Sequence, residues 1–335
     1  MKRILIVNVN WRGDVLFSTP FIRALRERYP ESFIASLIVP RCAAILKNSP
    51  HLNELIIFDE EGKHKGLLGK SRLIKLLRSR HFDTAFLLHR SFTRTLICLL
   101  AGIPERVGYY TRKRAILLTK SIAPPVERLH KVEYFLNITR ACGIETENRD
   151  YEFSATLEDR DYISNLFREK GLKESDFLVV LNPGGNWGLK RWPKENFAQL
   201  AERLIKKYRA RVIFTGAAAD FGLARDIAAL MGNPSTILCG RTTLGQLAAL
   251  MARATLVISN DSGPMHIAVS QGAGVICLFG PTSPEITGPC GKGDYTVIQK
   301  DVGCPTPCYR LDCKDNRCMK AITVDDVLEA VKKFL

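Results

Sequence analysis

The chain of 335 residues has no long hydrophobic run, although 46% of its residues are hydrophobic. No apolar stretch approaches the roughly 18 residues needed to cross a bilayer. The apolar stretch in the opening MKRILIVNVN is too short for a secretory signal, and no small-residue cleavage site follows it. We therefore expect a cytoplasmic protein without a membrane-spanning helix, and its length predicts two domains with separate cores.

The glycine-rich dinucleotide fingerprint G-x-G-x-x-G is also missing from the first predicted strand-to-helix turn, VNVNWRGDVLFSTP. Its absence argues against a hydride-transfer enzyme. Only Gly13 is present in this turn, and Asp14 follows it. An aspartate here would repel a pyrophosphate but could accept a proton from a neutral substrate hydroxyl. The alternative interpretation is that Asp14 caps the following helix.

Recognisable nucleic-acid-binding modules are absent as well, since there is no zinc finger, helix-turn-helix or set of stacking aromatics among the basic residues. The chain nevertheless carries 49 Lys and Arg against 34 Asp and Glu, a net charge of +15. Residues 63–114 hold 13 of the basic residues and only two acidic ones. Such a segment favours phosphate-bearing partners, whether an anionic membrane, a phosphorylated substrate or nucleic acid. The alternative is a solvated basic face, and nucleic-acid binding is the remote interpretation.

The ten cysteines include no C-x-x-C pair, which is the strong indication of a metal site. Four of them, Cys304, Cys308, Cys313 and Cys318, have three, four and four residues between them. A structural metal, disulfides and a loop with free thiols all remain open for this cluster, with a metal not favoured. We expect no required cofactor and no catalytic metal.

Short β-branched runs alternate with amphipathic stretches throughout, which predicts an α/β protein with parallel sheets. The predicted strands are residues 3–9, 33–39, 54–58 and 83–88, then 177–182, 211–216, 235–238, 255–259 and 274–280. Helices are predicted between them, including 70–80 and 130–142. The restart after a linker at 145–176 predicts two Rossmann-like domains, 1–160 and 175–322. A last helix over 323–335, capped by Thr323, is predicted to dock on one of the sheets, with the first domain as one candidate.

Open α/β sheets bind ligands beyond the carboxyl ends of their strands, so the loops there are the candidate sites. In NPGGNWGLKRWP, Gly184 and Gly185 allow a tight turn with exposed N–H groups, and Lys190 follows. In SNDSGPMHIAVSQG, Asp261 and Ser262 precede a helix that begins near Gly263, with His266 one turn in. Each loop has a simpler interpretation, a plain glycine turn or an N-cap.

A fourth loop, FTGAAADFGLA, places Asp220 after the second strand of the second half. An acid at this place commonly accepts hydrogen bonds from ribose hydroxyls. Helix capping is an equally sound interpretation of Asp220.

Taken together, three blocks resemble the conserved blocks of glycosyltransferase family 9, the lipopolysaccharide heptosyltransferases, and their heptosyltransferase II branch in particular. The blocks are ILIVNVNWRGDVLFSTPFIRALRERYP, NPGGNWGLKRWPKENFAQLAERL and SNDSGPMHIAVSQGAGVICLFGPTSPE. The resemblance spans nearly the whole chain. It implies a GT-B fold, with two Rossmann-like domains facing a cleft, the acceptor bound by the first and an ADP-sugar by the second.

The same resemblance implies roles for individual residues. Asp14 would be the general base, Lys190 the diphosphate ligand and Asp220 the ribose ligand, although the family members more often carry a glutamate there. Thr242 would lie in the adenine-side loop. The sugar- and phosphate-binding turn corresponds to Asp261, Ser262, Gly263 and His266. Arg12, Arg90 and Arg112 are the candidate acceptor contacts.

The resemblance therefore implies an inverting transferase that moves L-glycero-D-manno-heptose from ADP-heptose to the lipid A core. It would attach peripherally to the anionic inner face of the inner membrane through its basic first domain, without binding nucleic acid. A family 9 transferase with another nucleotide-sugar or acceptor is the alternative, and a catalytically silent nucleotide-sugar binder is a third.

Overall fold

A computed structural model describes all 335 residues and divides the chain into two compact units, Met1–Glu152 and Phe153–Leu335. Each unit contains one six-stranded parallel sheet covered by helices. The predicted α/β class and the two Rossmann-like domains are therefore confirmed. No helix combines the length and apolar content that a membrane span needs.

The sheet of the first unit has the order β3-β2-β1-β4-β5-β6. Its strands are β1 (Arg3–Val7), β2 (Phe33–Ile38), β3 (Glu54–Ile57), β4 (Thr84–Leu87), β5 (Glu105–Tyr109) and β6 (Lys120–Ile122). In the register of the centre, Val7 pairs with Leu37 on one side and Leu87 on the other. These strands are apolar because helices cover both faces of the sheet.

The helices of the first unit present apolar residues to that sheet. They are α1 (Arg12–Phe17), α2 (Thr19–Arg28), α3 (Ala43–Leu46), α4 (Gly66–Ser79), α5 (Phe92–Leu100) and α6 (Lys131–Arg140). In α4, which corresponds to the predicted basic helix, Gly69, Leu73 and Leu77 are buried at intervals of four residues. The basic side chains occupy the remaining faces of the helix.

The sheet of the second unit repeats the arrangement, with the order β12-β11-β10-β7-β8-β9. Its strands are β7 (Leu178–Asn182), β8 (Arg211–Phe214), β9 (Thr236–Ile237), β10 (Leu256–Asn260), β11 (Gly274–Phe279) and β12 (Tyr295–Gln299). Counted from its first strand, this is the order 3-2-1-4-5-6, which the first unit also has and which is typical of Rossmann folds.

Eight helices accompany the second sheet. They are α7 (Leu157–Lys170), α8 (Lys194–Tyr208), α9 (Phe221–Ala229), α10 (Leu244–Met251), α11 (Gly263–Ser270), α12 (Pro284–Thr287), α13 (Arg317–Lys320) and α14 (Val324–Val331). Helix α7 lies within the segment predicted to be a linker. Its capping box joins Thr156 and Asp159, and it buries Ile163 and Phe167.

The C-terminal helix buries its apolar face in the core of the second unit. Val327, Leu328 and Val331 of α14 belong to the core of the second unit, and the helix contacts α8. The N-cap at Thr323 is confirmed, because its hydroxyl accepts the N–H of Asp326. An amphipathic pattern indicates that a helix buries one face, but it does not say against which sheet.

In both units the strand order reverses direction between two central strands, β1 and β4 in the first and β7 and β10 in the second. Rossmann folds bind their ligands beyond the carboxyl ends of strands at such a point. The loops after these four strands are therefore the candidate sites in each unit.

Candidate functional site

Asp14 lies in the loop-to-helix turn after β1, as the third residue of α1, and is half-buried. The N-cap of this helix is Trp11, and no side chain makes a capping hydrogen bond. The helix-cap interpretation of Asp14 therefore has no support. Burial raises the pKa of the Asp14 carboxyl, and the positive charge of Lys131 partly opposes that rise.

Two fully buried arginines form hydrogen bonds with the loops at the carboxyl ends of the strands, the edge of the sheet where Asp14 lies. Arg94 donates to the backbone oxygen of Asn8, at the end of β1, and to the carboxylate of Glu60, after β3. Arg114 donates to the backbone oxygens of His89 and Tyr109, at the ends of β4 and β5. Part of the basic surplus in residues 63–114 is therefore structural, with burial lowering the pKa of Arg114 to about 10.

The three candidate acceptor arginines are exposed and follow three different strands of this sheet. Arg12 follows β1 and donates to the backbone oxygen of Arg41. Arg90 follows β4, and Arg112 follows β5. Because the strands are parallel, all three loops leave the same edge of the sheet as Asp14.

In the second unit, Lys190 and Asp261 meet at the carboxyl ends of β7 and β10. The Nζ of Lys190 lies 2.6 Å from Oδ2 of Asp261, and the hydroxyl of Thr282 donates to the same oxygen at 2.7 Å. The Asp261 side chain is 5% exposed and that of Lys190 is 24% exposed. An ion pair held in this way directs the ammonium group and restricts its motion.

Gly184 and Asp220 make the second close approach of this site. A Cβ atom on Gly184 would lie 2.4 Å from the Asp220 carboxyl, so only glycine fits without displacing that side chain. Asp220 accepts the N–H of Ala217 at 2.9 Å, and Arg191 lies 3.5 Å from its other oxygen. The structure therefore shows a capping contact for Asp220 and still leaves it beside the glycine-rich loop.

Two buried asparagines, which are not among the candidate residues from the sequence, connect these loops. Asn260 donates to the backbone oxygens of Pro183 and Gly184, and its own Oδ1 accepts the N–H of Trp192. Asn182 donates to Ser262, while its buried Oδ1 has no hydrogen-bond partner. Asn182 ends a predicted strand and Asn260 immediately follows another, and a polar residue at the end of an apolar run was the available indication.

The turn after β10 forms as predicted, and α11 begins at Gly263 with Pro264 in its first turn. Its N-cap is Ser262, whose side chain makes no capping bond and instead contacts Asn182 and Ser259. His266 is buried within this helix. Thr242 is half-buried and immediately precedes Thr243, the N-cap of α10.

The four C-terminal cysteines line a single pocket of about 380 Å³ together with Gly280 and Pro281. All ten cysteines of the chain are free, and no group of three His, Cys, Asp or Glu side chains is arranged to hold a metal ion. The backbone N–H of Cys308 donates to the oxygen of Pro281 at 2.7 Å, which joins the cysteine segment to the strand end that carries Thr282.

The family model described as glycosyltransferase family 9 (heptosyltransferase) matches residues 70–317. The chain belongs to glycosyltransferase family 9.

Family 9 relatives align over most of the chain. Lipopolysaccharide heptosyltransferase 2 of Salmonella typhimurium is 31% identical over 306 residues, which cover 86% of this chain and 85% of the relative. Its counterpart from Escherichia coli K12 is 29% identical over 305 residues, with 86% and 85% covered. The chain is a glycosyltransferase.

Solved structures of family 9 share the fold. The family 9 glycosyltransferase of Veillonella parvula has a TM-score of 0.93 at 25% identity, covering 99% of this chain and 97% of its own. The Escherichia coli ADP-heptose lipopolysaccharide heptosyltransferase II has a TM-score of 0.81 at 27% identity, covering 100% and 98%. The fold is therefore GT-B, built from two Rossmann-like domains.

Proposed function

We propose that this family 9 enzyme transfers L-glycero-D-manno-heptose from ADP-heptose to the inner core of lipopolysaccharide, with inversion at the anomeric carbon. The observation that carries the proposal is the alignment with lipopolysaccharide heptosyltransferase 2 over 86% of the chain. The local geometry agrees with it, because polar and charged side chains cluster at the strand ends where Rossmann folds bind ligands.

Asp14 acts as the general base in this proposal. A carboxylate is too weak a base to form a free alkoxide, so the proton moves to Asp14 while the acceptor oxygen attacks the anomeric carbon. Burial raises the pKa of Asp14 and so makes it a stronger base than an ordinary aspartate. Positioned bases of this kind contribute roughly 10² to 10⁴ in rate.

The second unit binds the donor and stabilises its leaving group. ADP gains negative charge as the glycosidic bond breaks, and the Lys190 ammonium, the loop at Gly184 and Gly185 and the N-terminus of α11 are donors for that charge. Asp261 holds the ammonium in place. Asp220 is the ribose ligand, and Thr242 lies on the adenine side.

The acceptor is a phosphorylated lipid A core, contacted by Arg12, Arg90 and Arg112 at the edge of the first sheet. The enzyme is cytoplasmic and attaches peripherally to the anionic inner face of the membrane, where each Lys or Arg near the surface contributes about 1 kcal/mol. The exposed basic residues of the segment 63–114 supply that charge.

Purified protein, supplied with ADP-heptose and truncated core acceptors, tests the proposal by mass analysis of the products. We expect the acceptor mass to rise by one heptose unit. Transfer of a different sugar from a panel of nucleotide-sugars, with none from ADP-heptose, would contradict the donor assignment. Asp14→Ala should abolish transfer while leaving ADP affinity nearly unchanged, and a loss of ADP affinity would contradict the role of Asp14.

A further inference from the structure

The start of α4 exposes two large apolar side chains that the proposed reaction does not use. Leu67 is 86% exposed and Leu68 is 79% exposed, and both lie in the first turn of the helix. The later leucines of the same helix, Leu73 and Leu77, are fully buried. We call residues 63–72 the α4 tip.

The α4 tip is strongly positive. It carries Lys63, Lys65, Lys70 and Arg72, and no acidic residue occurs between Glu61 and Asp83. Of the three acids just before it, Asp59 and Glu60 are held by hydrogen bonds and Glu61 is exposed. Asp59 accepts the backbone N–H groups of Gly62 and Lys63, and Glu60 pairs with the buried Arg94. The leucine pair therefore lies in a segment with four basic side chains, none of which forms a salt bridge.

The chain holds the α4 tip in a defined conformation. The buried His64 accepts the N–H of Asp59 through Nδ1, which closes the turn. A Cβ atom on Gly69 would lie 2.5 Å from the carbonyl carbon of His64, so glycine allows the helix to pack on this turn. The two leucines thus point outward from an ordered structure, whereas a frayed loop could fold its apolar residues inward.

The α4 tip lies at the edge of the first sheet where the acceptor is proposed to bind. It follows β3 and therefore leaves the same edge as the loops that carry Asp14 and Arg90. A lipid-anchored acceptor would reach this edge from the membrane plane. An apolar pair ringed by lysines and arginines is the composition that inserts at the surface of an anionic bilayer.

We propose that Leu67 and Leu68 insert into the interfacial region of an anionic membrane and that the basic residues of the α4 tip hold the enzyme there. This inference rests on the proposed function only in taking the acceptor to be lipid-anchored. It adds that apolar insertion, together with charge, drives the attachment. Salt alone should then weaken membrane binding without abolishing it.

Vesicle sedimentation tests the proposal, with vesicles of phosphatidylethanolamine and phosphatidylglycerol. We expect Leu67→Ser combined with Leu68→Ser to weaken vesicle binding on the order of tenfold or more, because two leucines lose their apolar burial. The matched control is Leu157→Ser combined with Leu230→Ser, which removes two exposed leucines of the second unit. This control should bind like the wild type.

Three results would overturn the proposal. They are wild-type protein that does not sediment with the vesicles, a serine variant of the α4 tip that binds as well as the control, and a variant that changes oligomeric state while keeping its vesicle affinity. Heptose transfer to a deacylated, water-soluble acceptor should be the same in both double variants. Failure of that transfer in wild-type protein would count against the proposed function, whereas vesicle binding would still decide the membrane inference.

A fluorescence measurement separates insertion from surface attraction. In Leu68→Trp, the added tryptophan should shift its emission to shorter wavelength on anionic vesicles and be quenched by brominated acyl chains, relative to the wild type. Vesicle binding without quenching would show that the leucine pair stays in water and would contradict insertion.

Discussion

The ammonium nitrogen of Lys190 lies 2.6 Å from Oδ2 of Asp261, which joins the loops after β7 and β10. Thr282 donates to the same carboxylate oxygen from the end of β11. Three separate segments therefore position one cation. This arrangement predicts that the two partners act together in binding the donor.

Lys190→Met removes that cation while keeping most of the side-chain length. A charge-assisted hydrogen bond contributes roughly 1.5 to 3 kcal/mol, so ADP should bind about 10- to 150-fold more weakly by calorimetry. Lys194→Met is the matched control, because Lys194 forms a loose pair with Asp226 at 3.7 Å on the surface. Equal ADP affinities for the two variants would refute the role of Lys190.

Gly184→Ala tests the close approach to Asp220. The new Cβ would lie 2.4 Å from the Asp220 carboxyl and must displace it from Ala217, so both ADP affinity and melting temperature should fall. Gly188→Ala is the control in the same loop, since no atom lies within 4 Å of its added Cβ. If the two alanine variants behave alike, the contact with Asp220 has no influence on the site.

Lys131→Met tests the electrostatics of the proposed base. Lys131 lowers the pKa of Asp14, so its removal should raise that pKa further. Activity requires ionised Asp14 and falls as the pH drops through its pKa, so the acid limb of the rate profile should move to higher pH. Lys47→Met, at an exposed lysine, should leave the profile unchanged. A shift to lower pH would contradict the assignment.

Asp14→Asn should increase stability at neutral pH while it removes activity. Because burial raises the pKa of Asp14 in the folded state, ionisation opposes folding above that pKa, and the neutral asparagine has no such cost. The difference in unfolding free energy should shrink as the pH falls through the raised pKa and disappear below the ordinary value of 3.8. Urea unfolding at several pH values measures it. A variant less stable than wild type at pH 7 would argue against a buried, costly carboxylate.

The cysteine pocket leads to a prediction about the metal content of the purified protein. We expect purified protein to carry neither stoichiometric zinc nor iron, because the four C-terminal cysteines include no C-x-x-C pair. Elemental analysis provides the measurement, and thiol titration of unfolded protein should count ten free thiols. One equivalent of metal, lost together in Cys304→Ser and Cys313→Ser, would show that the four sulfurs rearrange around an ion.

The pattern of apolar runs predicted nine of the twelve strands, and it failed where strands are short or contain polar residues. β6 has only three residues, and β5 contains Arg106 and Gly108. These strands form because their neighbours in the sheet supply hydrogen bonds and burial, not because of local propensity. The predicted linker likewise contains α7, a mostly polar helix that buries only Ile163 and Phe167.

The candidate site also has a part that the sequence predicted and a part that only the structure shows. Asp14, Lys190, Asp261 and Ser262 follow strongly apolar strands, so their place at the ends of strands could be read from the chain alone. The contact of Lys190 with Asp261 and the ties through Asn260 and Thr282 could not. They join residues that are far apart in sequence, and only the order of the parallel strands brings them together.

The sequence by itself determined where nine of the twelve strands lie and some of the local caps, because apolar periodicity and capping act over a few neighbouring residues. The cap at Thr323 is an example. Tertiary structure alone decided that α14 packs in the second unit and that Lys190 pairs with Asp261. The physical reason is that burial and ion pairing depend on which distant segments share a surface, and that is a property of the folded sheet.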